Sequence, residues 1–447
     1  MAELLLGKRA GPRHLPLVQV EGEQPVQRRP QLVGVARLLA DLDGPSVGGP
    51  RCLVRVAVRQ RQSGGEARLE DRLAAALALA HGYTHEASGA AYQRAVEICG
   101  GAGHAAELRA ALYGLFVFHL NRGELGQART LAEEQLRHAE ALGDPRGLLI
   151  GARAAGTVAM WLGDLPRARL NQERALALFD PGRDRERLGE FQHDVEVSIL
   201  SNLAWLLLLL GLPDEAGRSS MQALVVAREL GHPTSLAVAL HRSCQYHQLR
   251  RDLRSAQAEL VELRALTDRH RLPFFLAFAE AFEGACLGDD GHWTEAVERT
   301  RRAVEIFRTG GIVLLSPYLS ALLGQTLTRA GHHAEGMAVL SQALERVEAT
   351  DERWFEAELR RMSGELHLHA GASCEAAQCF AAALGVARRQ GGRLFELRAA
   401  TSLCRLWAEG GERRKAHDTL TPIYGRFTEG LDTPDLKDAR TLLDGLA

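Results

Sequence analysis

The sequence predicts an all-α fold, a right-handed solenoid of about nine helix pairs with a 40-residue period. Three observations lead there. Aromatic residues make up only 5% of the 447 positions while Ala, Leu, Arg and Glu abound, a composition that favours helices over sheets. A turn-making Gly followed five positions later by a small residue recurs in RGELGQARTL, LGDLPRARLN, LGLPDEAGRS, DGHWTEAVER and GGERRKAHDT. The recurrence is also regular. With the small residue as origin it falls at Ser88, Ala128, Ala168, Ala216, Ala256, Ala296, Gly336, Ala376 and Ala416, and seven of the eight intervals are 40 residues.

Further columns keep the same phase. Five positions before the origin stand Gly123, Gly163, Gly211, Gly291, Gly331, Gly371 and Gly411, with Arg251 taking the remaining place. Twelve before it the residue is small (Gly156, Ala204, Cys244, Gly284, Gly324, Gly364, Cys404) except at Phe116. Fifteen after it stand Gly103, Gly143, Gly231, Gly311 and Gly391.

A helix pair explains these columns. In ILSNLAWLLLLLGLPDEAGRSSMQALVVARELGHP, Gly211 can take the left-handed conformation that stops a first helix. Pro213 then sits in the first turn of the second, where its missing N–H costs nothing. That helix runs to Gly231, and Pro233 opens the next repeat. Small residues mark the place where the two helices cross closely. Each pair leaves an apolar face for the next pair to cover, so repeats should lean on their immediate neighbours. A cut between Gly231 and Pro233 should therefore leave two weakened but helical halves. The one 48-residue interval, Ala168 to Ala216, should place its extra residues in a loop around Asp180 to Asp194.

The two ends read differently. GLDTPD near the C-terminus looks at first like a phosphate loop, but it lacks the several glycines and the following Lys. Thr433 instead suits an N-cap, Pro434 a first helical residue and Asp435 the positive helix end, with Leu436, Ala439, Leu442 and Leu443 at helical spacing. Residues 1–65 are rich in Pro, Gly and Arg and lack the period, which reads as an irregular, disordered or non-native leader before an array at 66–447.

Small, Gly and Ala at these offsets, often with Ala seven further on (Ala175, Ala223, Ala303, Ala343, Ala383), resembles the tetratricopeptide repeat (TPR) stretched to 40 residues. The likeness extends to longer segments. RWFEAELRRMSGELHLHAG, CFAAALGVARRQGGRLFELRAATSLCRLW and YGRFTEGLDTPDLKDARTLLDGLA resemble the C-terminal third of large bacterial signalling proteins. Those join a class III adenylate/guanylate cyclase domain, or a DNA-binding domain, to an AAA-type ATPase and this array. The match runs from Glu66 to Ala447. It implies a sensor or regulatory part whose partner is a cyclase or P-loop ATPase. Residues 1–65 are too short for such an ATPase, and no G-x-x-x-x-G-K-[ST] occurs in the sequence.

Composition narrows the function. A net charge of −2 and a pI near 6.8 leave no footprint for direct nucleic-acid binding. The longest apolar run, LAWLLLLLGL, is half of the ~20 residues that span a bilayer, and MAELLLGKRAGPRHL has no secretory core, so a cytoplasmic location is expected. Seven cysteines without a CxxC suggest neither a disulfide framework nor a zinc site. Cys244 and Cys404 fall in a packing column. Cys374 with Cys379, His81 with His85 and His367 with His369 lack a third ligand, and Asp289 and Asp290 read as turn formers. No catalytic, metal or cofactor site is expected, and the chain should not be an enzyme.

The concave groove remains as the candidate site. First helices should face it at offsets −18, −15, −11 and −8. Those columns contain Phe278 and Tyr318, then Tyr113, Arg153 and His241, then Thr157, Trp205, Gln245 and Gln325, and finally Gln248 and Thr328. Amides, aromatics and an Arg suit a protein or peptide partner, or alternatively a small-molecule effector. His241 and Gln245, one helical turn apart, should share a solvated face. Trp205 and Tyr318 lie on helices apolar all round and also fit a core.

Overall fold

The computed structural model describes residues 84–99, 105–185 and 193–446, with Glu70, Asp71, Leu73 and Ala74. The leader at 1–65, His81, Gly103 and the middle of the Asp180–Asp194 segment lie outside the described residues. Among the described residues the regular structure is helical, without a strand.

In chain order the helices are α1 (Glu86–Cys99), α2 (Ala105–Asn121), α3 (Leu125–Leu142), α4 (Pro145–Trp161), α5 (Leu165–Leu178), a short α6 (Pro181–Asp184) and α7 (Val195–Leu209). There follow α8 (Pro213–Leu230), α9 (Pro233–Leu249), α10 (Gln257–His270, entered through a 3₁₀ turn), α11 (Pro273–Asp289), α12 (Trp293–Thr309) and α13 (Ser316–Arg329). The array ends with α14 (His333–Thr350), α15 (Glu356–His369), α16 (Ser373–Gln390), α17 (Arg393–Glu409), α18 (Arg413–Tyr424) and α19 (Pro434–Leu446). Every origin residue from Ser88 to Ala416 is buried near the start of a second helix. α6 occupies part of the 48-residue interval.

The helix breaks are backbone features of the repeat. All seven glycines five before the origin have φ between 73° and 86°, and Arg251 in that column takes φ 61° without being glycine. Gly143, Gly231, Gly311 and Gly391 likewise have positive φ, and two non-glycine members of that column, Arg271 (φ 52°) and Asp351 (φ 61°), adopt it too, whereas Arg183 and Leu431 do not. The geometry demands the left-handed residue; glycine supplies it without the Cβ penalty.

The crossing columns behave as their size suggests. A Cβ on Gly336 would lie 3.2 Å from the carbonyl oxygen of Gly324, and one on Gly284 2.9 Å from that of Ala296. Only a small residue lets these backbones approach.

Contacts are not confined to neighbouring repeats, which corrects the expectation of a purely nearest-neighbour array. The carbonyl of Asn121 accepts from the N–H of Val313 at 3.1 Å, and that of Trp161 from the N–H of Arg353 at 2.8 Å. The Arg398 guanidinium donates to the carbonyl of Leu249. Asn121, Trp161 and Leu249 each end a first helix, where carbonyls have no intrahelical partner. Two connections and one helix side chain, four to five repeats further on, satisfy them. Successive superhelical turns therefore stack, and one hydrophobic core runs from Tyr113 to Phe395.

The GLDTPD stretch belongs to this seam. Gly430 (φ 64°) packs on Pro213, where an added Cβ would meet Pro213 Cγ at 2.1 Å. α19 does begin at Pro434. Asp435, however, is buried rather than simply facing the helix end, paired with Arg398 at 2.9 Å and Arg251 at 3.1 Å.

Candidate ligand-binding groove

Stacking of the turns divides the groove in two. In its N-terminal half Tyr113, Arg153, Trp205, His241, Gln245, Phe278 and Tyr318 are buried, while Thr157 is half-buried. The connection before α15 inserts Trp354 there, its ring 4.2 Å from that of Trp205 and 5.4 Å from that of Tyr318. The solvated face expected for His241 and Gln245 is thereby corrected, since they are 2% and 0% exposed. His241 lies 4.1 Å from the ring of Phe278, and burial holds its imidazole well below the usual pKa. Trp205 and Tyr318 are core, as their apolar helices allowed.

This interior still holds charge. The Arg153 guanidinium stacks 4.8 Å over Tyr113 and donates to Ser198 Oγ at 3.0 Å. Arg242, one position off the columns read from sequence, stacks 4.5 Å over Trp205 and donates to Gln245 Oε1 at 2.6 Å. Burial draws its pKa down to about 9, so it keeps its charge at neutral pH. Neither arginine has a carboxylate partner among the described residues.

In the C-terminal half the groove opens as a cleft of about 530 Å³, whose lining includes Gln248 and Gln325. Gln248 accepts from the Tyr318 hydroxyl at 2.7 Å; Gln325 is exposed, and Thr328 is half-buried. The rest of the wall is charged. Glu358 sits between Arg361 (2.9 Å) and Arg398 (3.3 Å), and Arg361 also reaches Glu365 at 2.9 Å. Ser402 donates to Glu365 at 2.8 Å. Burial raises the pKa of Glu358, but the two guanidiniums outweigh it and hold the carboxyl at about 2. Arg405 is exposed and has no ion-pair partner among the described residues.

The lining carries five arginines (Arg251, Arg329, Arg361, Arg398, Arg405) and five acids (Asp289, Glu358, Glu365, Asp435, Asp438), a balanced set. Glu358, Arg361, Glu365, Arg398 and Arg405 were missed by sequence reasoning. The signal was present, because they occupy offsets −18, −15 and −11 of the last two repeats.

The remaining chemical candidates are structural. Cys244 and Cys404 are fully buried, and burial pushes Cys404 up to about 11 and Cys244 higher still. The His369 ring stacks on His333 at 5.1 Å. Among the described residues no group of His, Cys, Asp or Glu could hold a metal ion, and no helix is long and apolar enough to cross a membrane.

Neither family models nor curated proteins match this sequence. Among solved structures, the Rap protein complexed with competence and sporulation factor superposes with a TM-score of 0.56 at 12% identity, covering 86% of this chain and 100% of that one. The fold is a TPR-like helical solenoid. Two further similar structures are the apo quorum sensor NprR from B. thuringiensis (8% identity, 81% of this chain and 99% of that one, TM-score 0.48) and a STAND protein from Pyrococcus horikoshii. The latter, with a tetratricopeptide repeat sensor, is 12% identical over 86% of this chain and 69% of that one, with a TM-score of 0.40. At these identities the likeness is one of fold.

Proposed function

We propose that this TPR-like solenoid is a non-catalytic regulatory module that binds a short polar peptide, or such a segment of a protein partner, in its C-terminal cleft. The observation that carries the reading is the balanced lining, five arginines against five acids with exposed Gln325 and Arg405 unpaired among the described residues. A polyanion such as RNA needs a net basic surface. A peptide offers both charges together with backbone amides, which this lining can pair. A solenoid of the same fold has been solved in complex with competence and sporulation factor, so such an array can hold a ligand. The residues resembling cyclase- and ATPase-linked arrays support a cyclase or P-loop ATPase as the regulated partner. Nucleotide chemistry would then belong to that partner, and the purified chain with Mg²⁺ and labelled ATP should give neither hydrolysis nor cyclisation.

A second reading, a small-molecule effector, draws support from the cleft's volume of about 530 Å³, within the ~300–1,000 Å³ typical of ligand sites. The test is capture of partners from native lysate by wild type and by the Arg405→Ala, Gln325→Ala double variant, alongside thermal-shift screening of metabolites. Loss of a captured partner in the double variant at unchanged Tm supports the peptide reading. Equal capture by both proteins removes it.

A further inference from the structure

The cleft reading leaves the buried half of the groove without a role, and its chemistry is one-sided. Arg153, Thr157 and Trp161 follow one another along one face of α4, and Ser198, Ser201 and Trp205 do so along α7. The two ladders meet at both ends, through the Arg153–Ser198 hydrogen bond (3.0 Å) and the Trp161–Trp205 ring contact (5.0 Å). Arg242 closes the second end, 4.5 Å over Trp205 and 5.8 Å over Trp161. Nε and Nη2 of Arg153, the indole N–H groups of Trp161 and Trp205 and the hydroxyl of Ser201 have no hydrogen-bond partner among the described residues, although these atoms are buried. Apart from the hydroxyl, these unpaired groups can only donate.

A buried donor left without an acceptor is destabilising, and a buried cation without a counter-ion more so. Arg153, on α4, stands at one end of the strip, and Arg242, reaching in from α9, stands at the other. Tyr113 lies beneath the first cation, and Trp161 and Trp205 lie beneath the second. Thr157 and Arg242 remain half-exposed, so the strip is not sealed from solvent.

We propose that the strip between α4 and α7 is a binding site for an organic carboxylate, whose oxygens accept from Arg242 and the indole N–H groups of Trp161 and Trp205. Aromatic walls favour an organic anion over inorganic phosphate. The carboxylate belongs either to a free small acid or to the C-terminus of a peptide. This site is separate from the C-terminal cleft and stands whether or not the cleft binds a peptide.

The experiment follows tryptophan fluorescence and Tm of the full chain titrated with phenylacetate, with phenylacetamide and with inorganic phosphate. A second arm uses a random pentapeptide pool with free or amidated C-termini. The expected result is a saturable fluorescence change and a rise in Tm with a carboxylate probe, at least tenfold weaker with its amide and with phosphate. Response to phenylacetate marks a small-acid site; response to the free-ended peptides alone marks a peptide terminus. Arg242→Gln should abolish the response, and Arg405→Ala should leave it intact. Because Arg242→Gln also disturbs packing, Gln245→Glu is the second variant. It sets a carboxylate at the atom to which Arg242 already donates, so it should raise Tm and abolish the response. No carboxylate-dependent change in either arm, or a fall in Tm for Gln245→Glu, would overturn the proposal.

Discussion

The N–H of Arg353 donates to the carbonyl of Trp161 at 2.8 Å, and this bond joins two turns of the superhelix. The next residue, Trp354, is thereby set against both Trp161 and Trp205, at ring distances of 6.2 Å and 4.2 Å. A backbone seam and an aromatic contact thus share one connection.

Separate halves of the chain should therefore recognise each other. Fragments 1–231 and 232–447, co-expressed, are expected to co-purify through the seam. Trp354→Ala in the second fragment should prevent this, and in the full chain should cost about 3–5 kcal/mol. Size-exclusion chromatography and denaturant titration provide the measurements. Fragments that elute separately would contradict a stacked superhelix.

Glu352 makes stability depend on pH. It is fully buried, accepting from Leu315 N–H at 3.0 Å and Trp354 Nε1 at 3.1 Å. Burial raises its pKa to about 8, and these hydrogen bonds only partly oppose the shift. An unfolded glutamate ionises near pH 4.3, so between about 4.3 and about 8 the folded state holds the extra proton. Stability should fall as pH rises through that window. Glu352→Gln should remove the slope, and its Tm advantage over wild type should widen towards pH 8. A constant difference across the window would refute this.

Asp435 should matter more than an exposed first-turn acid. Its carboxylate pairs with Arg398 and Arg251, and Arg398 in turn holds Glu358 and the end of α9. Asp435→Asn should cost about 3–5 kcal/mol, the range for breaking a buried pair, against 0.3–1 kcal/mol for a helix-end charge. Chemical denaturation distinguishes the two magnitudes.

The left-handed column offers a test of opposite sign. Arg271 is exposed with φ 52° and has no ion pair among the described residues. Arg271→Gly should be neutral or stabilising by up to about 1 kcal/mol, and Gly231→Ala (φ 61°) destabilising by about 1 kcal/mol. Denaturation midpoints of the pair provide the comparison.

The sequence by itself determined the period, the helix pairs and their breaks. These features depend on a few local requirements, a left-handed residue at each turn and a small one at each crossing, and those leave a column in any register-keeping repeat. It also contained five of the cleft's ten charged residues, legible at offsets −18, −15 and −11 once these were followed through the last two repeats. What the sequence could not determine was which part of the groove stays open. Small rotations between repeats add up along the solenoid, and no single residue encodes the sum. Only the tertiary structure decided that Trp354 reaches Trp205, that Asp435 reaches Arg251, and that His241 and Gln245 lie inside. Those contacts join residues from different superhelical turns, so a column that reads as one surface in sequence is core at its start and cleft at its end.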